Sequence, residues 1–166
     1  PPNRFEPVVF DAADSQLPDD QLGAPAHPAT RYLVEHCRSA ITRNTSPDIP
    51  FEASLNPYRG CEHGCSYCYA RPFHEYLGLS AGLQFETLIF CKTALPELLR
   101  CELAAPKYRP AALTLSGITD AYQPVERRLR ITRRCLEVLA DCRHPVDVIT
   151  KSHLVTRDLD QLGELA

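Results

Sequence analysis

Three cysteines fall within eight residues in the run Cys61-Glu62-His63-Gly64-Cys65-Ser66-Tyr67-Cys68, a C-x3-C-x2-C spacing. The chain has eight cysteines in 166 residues, and chance would give this spacing only about 0.02 times. Three thiolates this close cannot all pair with one another as disulfides. A tight loop can, however, turn three sulfurs to one side, where they meet a single metal centre. Iron–sulfur clusters are held by thiolates, normally four. A cubane held by three leaves one iron open to an outside ligand, which is what chemistry at a cluster requires. Two other uses of the same donors stand beside it. One is a structural zinc with His63 or a distant cysteine as fourth ligand. The other is an electron-transfer cluster completed from elsewhere, for example by Cys91. Spacing alone divides evenly between cluster and zinc.

The other candidates read more plainly. Cys37, Cys91, Cys101, Cys135 and Cys142 show no ligand spacing, and the expectation for them is small buried hydrophobes. Arg127, Arg128, Arg130, Arg133 and Arg134 read as a solvated helix face with ion pairs to Glu126 and Glu137. His63 and His74 flank the cysteine loop in solvated or hydrogen-bonding roles. Asp120 either caps a helix or touches a ligand, and the sequence does not separate these.

These residues need a scaffold, and composition bounds it. A chain of 166 residues, 44% hydrophobic and 23% charged, can bury one sizeable core. Its net charge of −3 gives no support for a polycationic nucleic-acid arm. No stretch between charged residues exceeds ten positions, too short to span a bilayer. A reducing cytoplasm suits the cysteine spacing better than a disulfide framework does. Nine of the 15 prolines lie in the first 57 residues. Residues 1–50 therefore read as a Pro-rich extension, with an extended lead-in over 1–30. The chain opens Pro1-Pro2 and holds no methionine, so its start reads as non-native and the whole as a piece of a longer protein.

From residue 51 the text alternates between strand and helix. Strands are expected at 51–55, 87–91, 111–116 and 146–150, each a short apolar run closed by turn residues. Helices are expected at 69–76, at 93–104 with Thr93 as cap, from Pro124 onward, and from a Thr156 cap to the end. Residues 31–50 are ambiguous between a short helix and a short strand around Tyr32-Leu33-Val34 and Ile41. Alternation without hairpin signals predicts βαβ units and a parallel sheet covered by helices.

The run C-x3-C-x-Tyr-C after a first strand resembles the signature of the radical S-adenosylmethionine superfamily. So do Asn56-Pro57-Tyr58-Arg59-Gly60, Tyr69-Ala70-Arg71-Pro72, Ser116-Gly117-Ile118-Thr119-Asp120 and Tyr122-Gln123-Pro124. Together they look like the bacterial group related to spore photoproduct lyase, over roughly residues 40–166. The resemblance implies an α/β fold, a partial (β/α) barrel with only its N-terminal half or so present in residues 51–166. It implies a 4Fe–4S cluster and S-adenosylmethionine as cofactors, with flavodoxin or ferredoxin as reductant. Reductive cleavage of S-adenosylmethionine would give a 5′-deoxyadenosyl radical that takes hydrogen from substrate.

Carried over by position, the resemblance makes Cys61, Cys65 and Cys68 the cluster ligands. It puts Tyr67 near the cofactor's adenine, Thr119 and Ser116 among the groups holding the cofactor, and Lys151 on its carboxylate. Tyr67 and Tyr69 match two tyrosines of a radical relay. The hydrogen-donating cysteine of photoproduct lyases is Gly117 here, which argues against DNA photoproduct repair and leaves the substrate open.

Overall fold

Leu113-Thr114-Leu115 and Ala53-Ser54-Leu55 are buried at every position, a pattern that suits strands covered on both faces. The computed structural model describes residues 29–47 and 49–166, so the lead-in expected over 1–30 lies almost entirely outside the described residues. Strands β2 (Ile41–Arg43), β3 (Ala53–Leu55), β6 (Leu113–Leu115) and β7 (Val146–Val148) form one sheet in the order β2-β3-β6-β7. Within it β3, β6 and β7 run parallel, with Leu55 opposite Leu115 and Leu115 opposite Val148. Strand β2 adds antiparallel to β3. A second sheet joins β1 (Arg31–Val34), β5 (Leu88–Cys91) and β4 (Tyr58–Arg59). There β1 and β5 are parallel, and β4 and β5 antiparallel. The ambiguous 31–50 region is thus strand at both apolar points, and it pairs into both sheets.

The parallel reading holds for β3, β6 and β7 and for β1 with β5, and needs correcting at the antiparallel pairs β2–β3 and β4–β5. Only Asn56-Pro57 separates β3 from β4, and that turn carries the chain out of one sheet and onto β5 of the other. The described residues form a mixed α/β arrangement of two small sheets. One core joins them: Leu55, Ile89, Leu95, Leu99, Leu113, Leu115, Leu136 and Leu139 belong to a single buried cluster. Helices α2 (Leu95–Leu103) and α4 (Ile131–Asp141) pack on it. Each leucine buried there contributes about 1.5–3 kcal/mol.

Three helix expectations need correction. The cap before α2 is Ala94, with no side-chain cap bond; Thr93 stands one residue earlier. The helix expected from Pro124 is broken in two, α3 (Glu126–Leu129) and α4, by Arg130 in the left-handed region (φ 51°). The cause is Glu126. Its carboxylate accepts Thr132 N–H at 3.0 Å and Arg133 N–H at 3.3 Å, and so caps the start of α4 from the preceding helix. At the C-terminal end Thr156 donates to His153 O instead of capping. Ser152 caps a 3₁₀ turn, His153–Asp158, that leads into α5 (Leu159–Leu165).

The remaining assignments sort by burial. Cys91 and Cys135 are buried as expected, whereas Cys101 and Cys142 are exposed and Cys37 is half-buried. Arg133 does pair with Glu137 at 3.3 Å, but Glu126 is wholly buried and its arginine partner is Arg157, at 2.9 Å. His74 is not solvated. It is buried, edge-on to Phe85 and Phe90 at 5.5 and 6.0 Å, in a 3₁₀ helix, Arg71–Leu77, that Gly78 ends with φ 71°. The short helix α1 (Leu83–Thr87) had no clear signal in the sequence. Among the described residues no helix is long and apolar enough to cross a membrane.

Candidate metal and cofactor site

Because β3, β6 and β7 are parallel, their C-terminal ends lie on one side, where α/β folds place their ligands. The segments leaving those ends are tied together by polar side chains. Asn56 is buried, and its Oδ1 accepts Gly117 N–H at 2.9 Å and Ile118 N–H at 3.1 Å. Thr119 Oγ1 donates to Tyr58 O at 3.1 Å. Asp120 settles between its two readings as a hub. Its Oδ1 accepts Tyr122 N–H at 2.8 Å and Thr150 Oγ1–H at 2.7 Å, and its Oδ2 accepts Lys151 N–H at 3.2 Å. That same Oδ2 lies 3.5 Å from His63 Nε2 on the cysteine loop. Burial pushes the His63 pKa below the ordinary imidazole value, so near neutral pH this contact is not an ion pair.

The cysteine loop leaves β4 through Gly60, whose φ is +76°. A Cβ there would sit 2.6 Å from Leu88 O and 2.9 Å from Phe85 O. This close approach lets Cys61 N–H donate to Phe85 O at 2.8 Å. Gly60→Ala is therefore expected to destabilise the protein by about 1–3 kcal/mol, read as a lowered urea midpoint. An unchanged midpoint would show that the loop entry is not so constrained.

Beyond Gly60 the loop is held from several sides. Glu62 N–H donates to Gln123 Oε1 at 3.1 Å, and Gln123 Nε2 donates to Gly60 O at 3.1 Å. The Glu62 carboxylate accepts Tyr32 Oη–H at 2.7 Å and Val125 N–H at 3.0 Å. Arg71 donates from Nε and Nη2 to Cys65 O at 3.1 and 3.0 Å and pairs with Glu86. The backbone that carries the thiols is thus fixed before any ligand arrives.

The sulfurs themselves are divided. Cys61 is buried with Ala70 and Phe85, and Cys68 packs against that cluster. Burial pushes the Cys61 thiol up to about 11. Cys65 is half-buried and takes a hydrogen bond from Lys151 Nζ at 2.5 Å. That bond holds the Lys151 pKa above its ordinary value. Among the described residues no three His, Cys, Asp or Glu side chains stand together as a ready metal cage. The chemistry of the donor set nevertheless fits a thiolate-held centre: three free thiols share one anchored loop, and one of them already faces a cation.

Ser116, Thr119 and Lys151 also lie at these strand ends. Ser116 stands in the left-handed region at φ 80°, and its buried hydroxyl has no hydrogen-bond partner. Strain and an orphaned donor at a strand end suit a residue that waits for a ligand. Tyr69 Oη–H donates to Gly117 O at 2.6 Å, although most of the ring is exposed. Tyr67 is 82% exposed at the loop tip, within electrostatic reach of Lys151. Sequence reasoning gave no role to Asn56, Glu62, Arg71 or Gln123. Their signal was present, since each is a polar residue inside a quoted motif: Glu62, Arg71 and Gln123 hold the loop, and Asn56 holds the segment leaving β6.

No family model matches this chain. It is 38% identical over 131 residues to the uncharacterized protein Rv2578c of Mycobacterium tuberculosis, covering 78% of this chain and 38% of that protein. The same figures hold for the uncharacterized protein Mb2609c of Mycobacterium bovis. The uncharacterized protein MJ0683 of Methanocaldococcus jannaschii is 32% identical over 106 residues, 64% of this chain and 38% of that protein. The chain thus spans 38% of the length of the curated relatives it matches. No solved structure matches it.

Proposed function

We propose that the chain belongs to a radical S-adenosylmethionine enzyme, built as the N-terminal half of a partial (β/α) barrel and working in the reducing cytoplasm. One observation carries the reading: the C-x3-C-x2-C loop lies beside the C-terminal ends of β3, β6 and β7, with the Lys151 ammonium on Cys65. When bound, a 4Fe–4S cluster with S-adenosylmethionine supplies one electron to the sulfonium, giving methionine and a 5′-deoxyadenosyl radical.

The chain's own residues have definable tasks in that reading. Cys61, Cys65 and Cys68 hold the cluster, and Lys151 then gives up its bond to Cys65 and pairs with the cofactor carboxylate. A cation there offsets the loss of water around that carboxylate. The unpartnered Ser116 hydroxyl and the neighbouring Thr119 hydroxyl supply hydrogen bonds at the strand end. Tyr67 covers the adenine. Tyr69, anchored on Gly117 O, stands where the photoproduct-lyase thiol is missing, so a hydrogen relay here would run through phenols alone. A flavodoxin or ferredoxin delivers the electron.

Lys151→Ala is expected to weaken S-adenosylmethionine binding about 10-fold or more, the loss of a hydrogen bond to a charged group, with iron content unchanged. Equal cofactor affinity in wild type and variant would remove Lys151 from the site. The wider reading is tested by metal and sulfide analysis after anaerobic reconstitution, followed by electron paramagnetic resonance of the reduced protein with and without S-adenosylmethionine. A cluster signal that changes with the cofactor is expected. Stoichiometric zinc without sulfide would make the loop a structural zinc module, and a signal indifferent to the cofactor would make the protein an electron carrier.

A further inference from the structure

We infer that a second pocket, beside the cysteine loop, binds a molecule with a flat apolar body and one oxyanion head, a carboxylate or a phosphate. The pocket is a cavity of about 590 Å³ whose walls include Phe51, Phe73, Ile118 and Tyr69. Its floor carries Lys92, immediately after β5 and only 7% exposed. Among the described residues the Lys92 ammonium has no hydrogen-bond or ion-pair partner. The nearest favourable charge is Glu35, whose Oε1 pairs with Arg59 at 3.0 Å and whose Oε2 is buried without a hydrogen-bond partner. Arg59 lines the same cavity, and its Nε is buried without an acceptor.

Among the described residues three cations, Arg43, Arg59 and Lys92, line the pocket and no carboxylate does. Most of Lys92 is buried, and its ammonium meets the open cavity without a protein acceptor, so an anion entering the cavity gains a cation that no side chain competes for. An oxyanion between Lys92 and Arg59 would satisfy the ammonium and the orphaned Nε together. The apolar walls suit an aromatic or similarly flat body. Burial lowers the Lys92 pKa, and an arriving anion would raise it again.

The pocket also includes Asn56, Gly117 and Ile118, the residues that leave β3 and β6. A ligand there would lie beside the site proposed above, and its assignment as substrate rests on that reading. The anion preference itself rests on the pocket alone.

The test is a calorimetric titration of the full chain, as isolated and after reconstitution, with phenyl phosphate, benzoate and benzyl alcohol. At least one of the two anions should bind about 10-fold tighter than the alcohol, and the two anions together tell phosphate from carboxylate. Lys92→Met should remove that preference and Lys92→Arg should keep it. Without ligand, Lys92→Met should leave the thermal midpoint at or above the wild-type value, because a mostly buried charge with no protein partner has been deleted. Three outcomes overturn the inference: no preference for either anion over benzyl alcohol, anion binding that survives Lys92→Met, or a ligand-free Lys92→Met protein less stable than wild type. The last would make Lys92 a structural partner of Glu35. Binding by the protein as isolated does not depend on iron, so the pocket can fail while the cluster stands, and the reverse.

Discussion

Alanine at any one of Cys61, Cys65 and Cys68 is expected to abolish iron and sulfide retention after anaerobic reconstitution, while Cys135→Ala leaves both at the wild-type level. The contrast follows from position. Cys135 is wholly buried among core side chains and its thiol is pushed up by burial, so it is an inert hydrophobe. The three loop thiols sit on a backbone already held by Gln123, Arg71 and Phe85 O, so losing one removes a ligand without releasing the loop. A three-thiolate centre has no spare donor, and none of the remaining five cysteines lies on this loop. Iron and sulfide retained at full stoichiometry in Cys65→Ala would remove that residue from the centre and with it the three-ligand assignment.

Glu126→Ala should produce the largest loss of stability in the chain, about 3–5 kcal/mol, the cost of breaking a buried charged network by deleting one partner. Glu126 is fully buried. It takes the Tyr58 hydroxyl, Thr132 N–H, Arg133 N–H and Arg157 Nη2 at once. Removing it strands the Tyr58 hydroxyl and the two N–H groups, leaves Arg157 Nη2 with Asp158 alone, and reopens the joint between α3 and α4. A loss of that size is a large share of the 5–15 kcal/mol that typically holds a domain together. Urea denaturation measures it, and a midpoint near wild type would show that the break at Arg130 has another cause.

The same network sets an acid limit. Burial pushes the Asp158 carboxyl up, but hydrogen bonds from Arg157 and Arg133 outweigh this and hold it below the usual carboxylate range. Its contribution is complete above the unfolded pKa of about 3.9. It is lost as pH falls through the lower folded value.

What could be read from the sequence was local. The runs 87–91, 111–116 and 146–150 are apolar and bounded by turn residues, and β5, β6 and β7 lie within them. The cysteine loop was legible because its spacing is chemical and its neighbours form motifs. What stayed hidden depended on partners far along the chain. Arg31-Tyr32-Leu33-Val34 is strand because β5 lies beside it. Nothing in the local propensity of Arg130 announces a left-handed residue; the break exists because a carboxylate four residues earlier collects the next helix's N–H groups. Asp120 could not be assigned from its own surroundings, because its partners Thr150, Lys151 and His63 come from the segment after β7 and from the cysteine loop. Lys92 follows an apolar strand with nothing in its neighbours to single it out, and only the tertiary fold buries it.

Radical chemistry at this loop has a direct readout in the products of S-adenosylmethionine cleavage. Protein reconstituted anaerobically with iron and sulfide, reduced with dithionite and given S-adenosylmethionine, should release 5′-deoxyadenosine and methionine in equal amounts, and Cys65→Ala should release neither. A fully loaded cluster that leaves S-adenosylmethionine intact would contradict it.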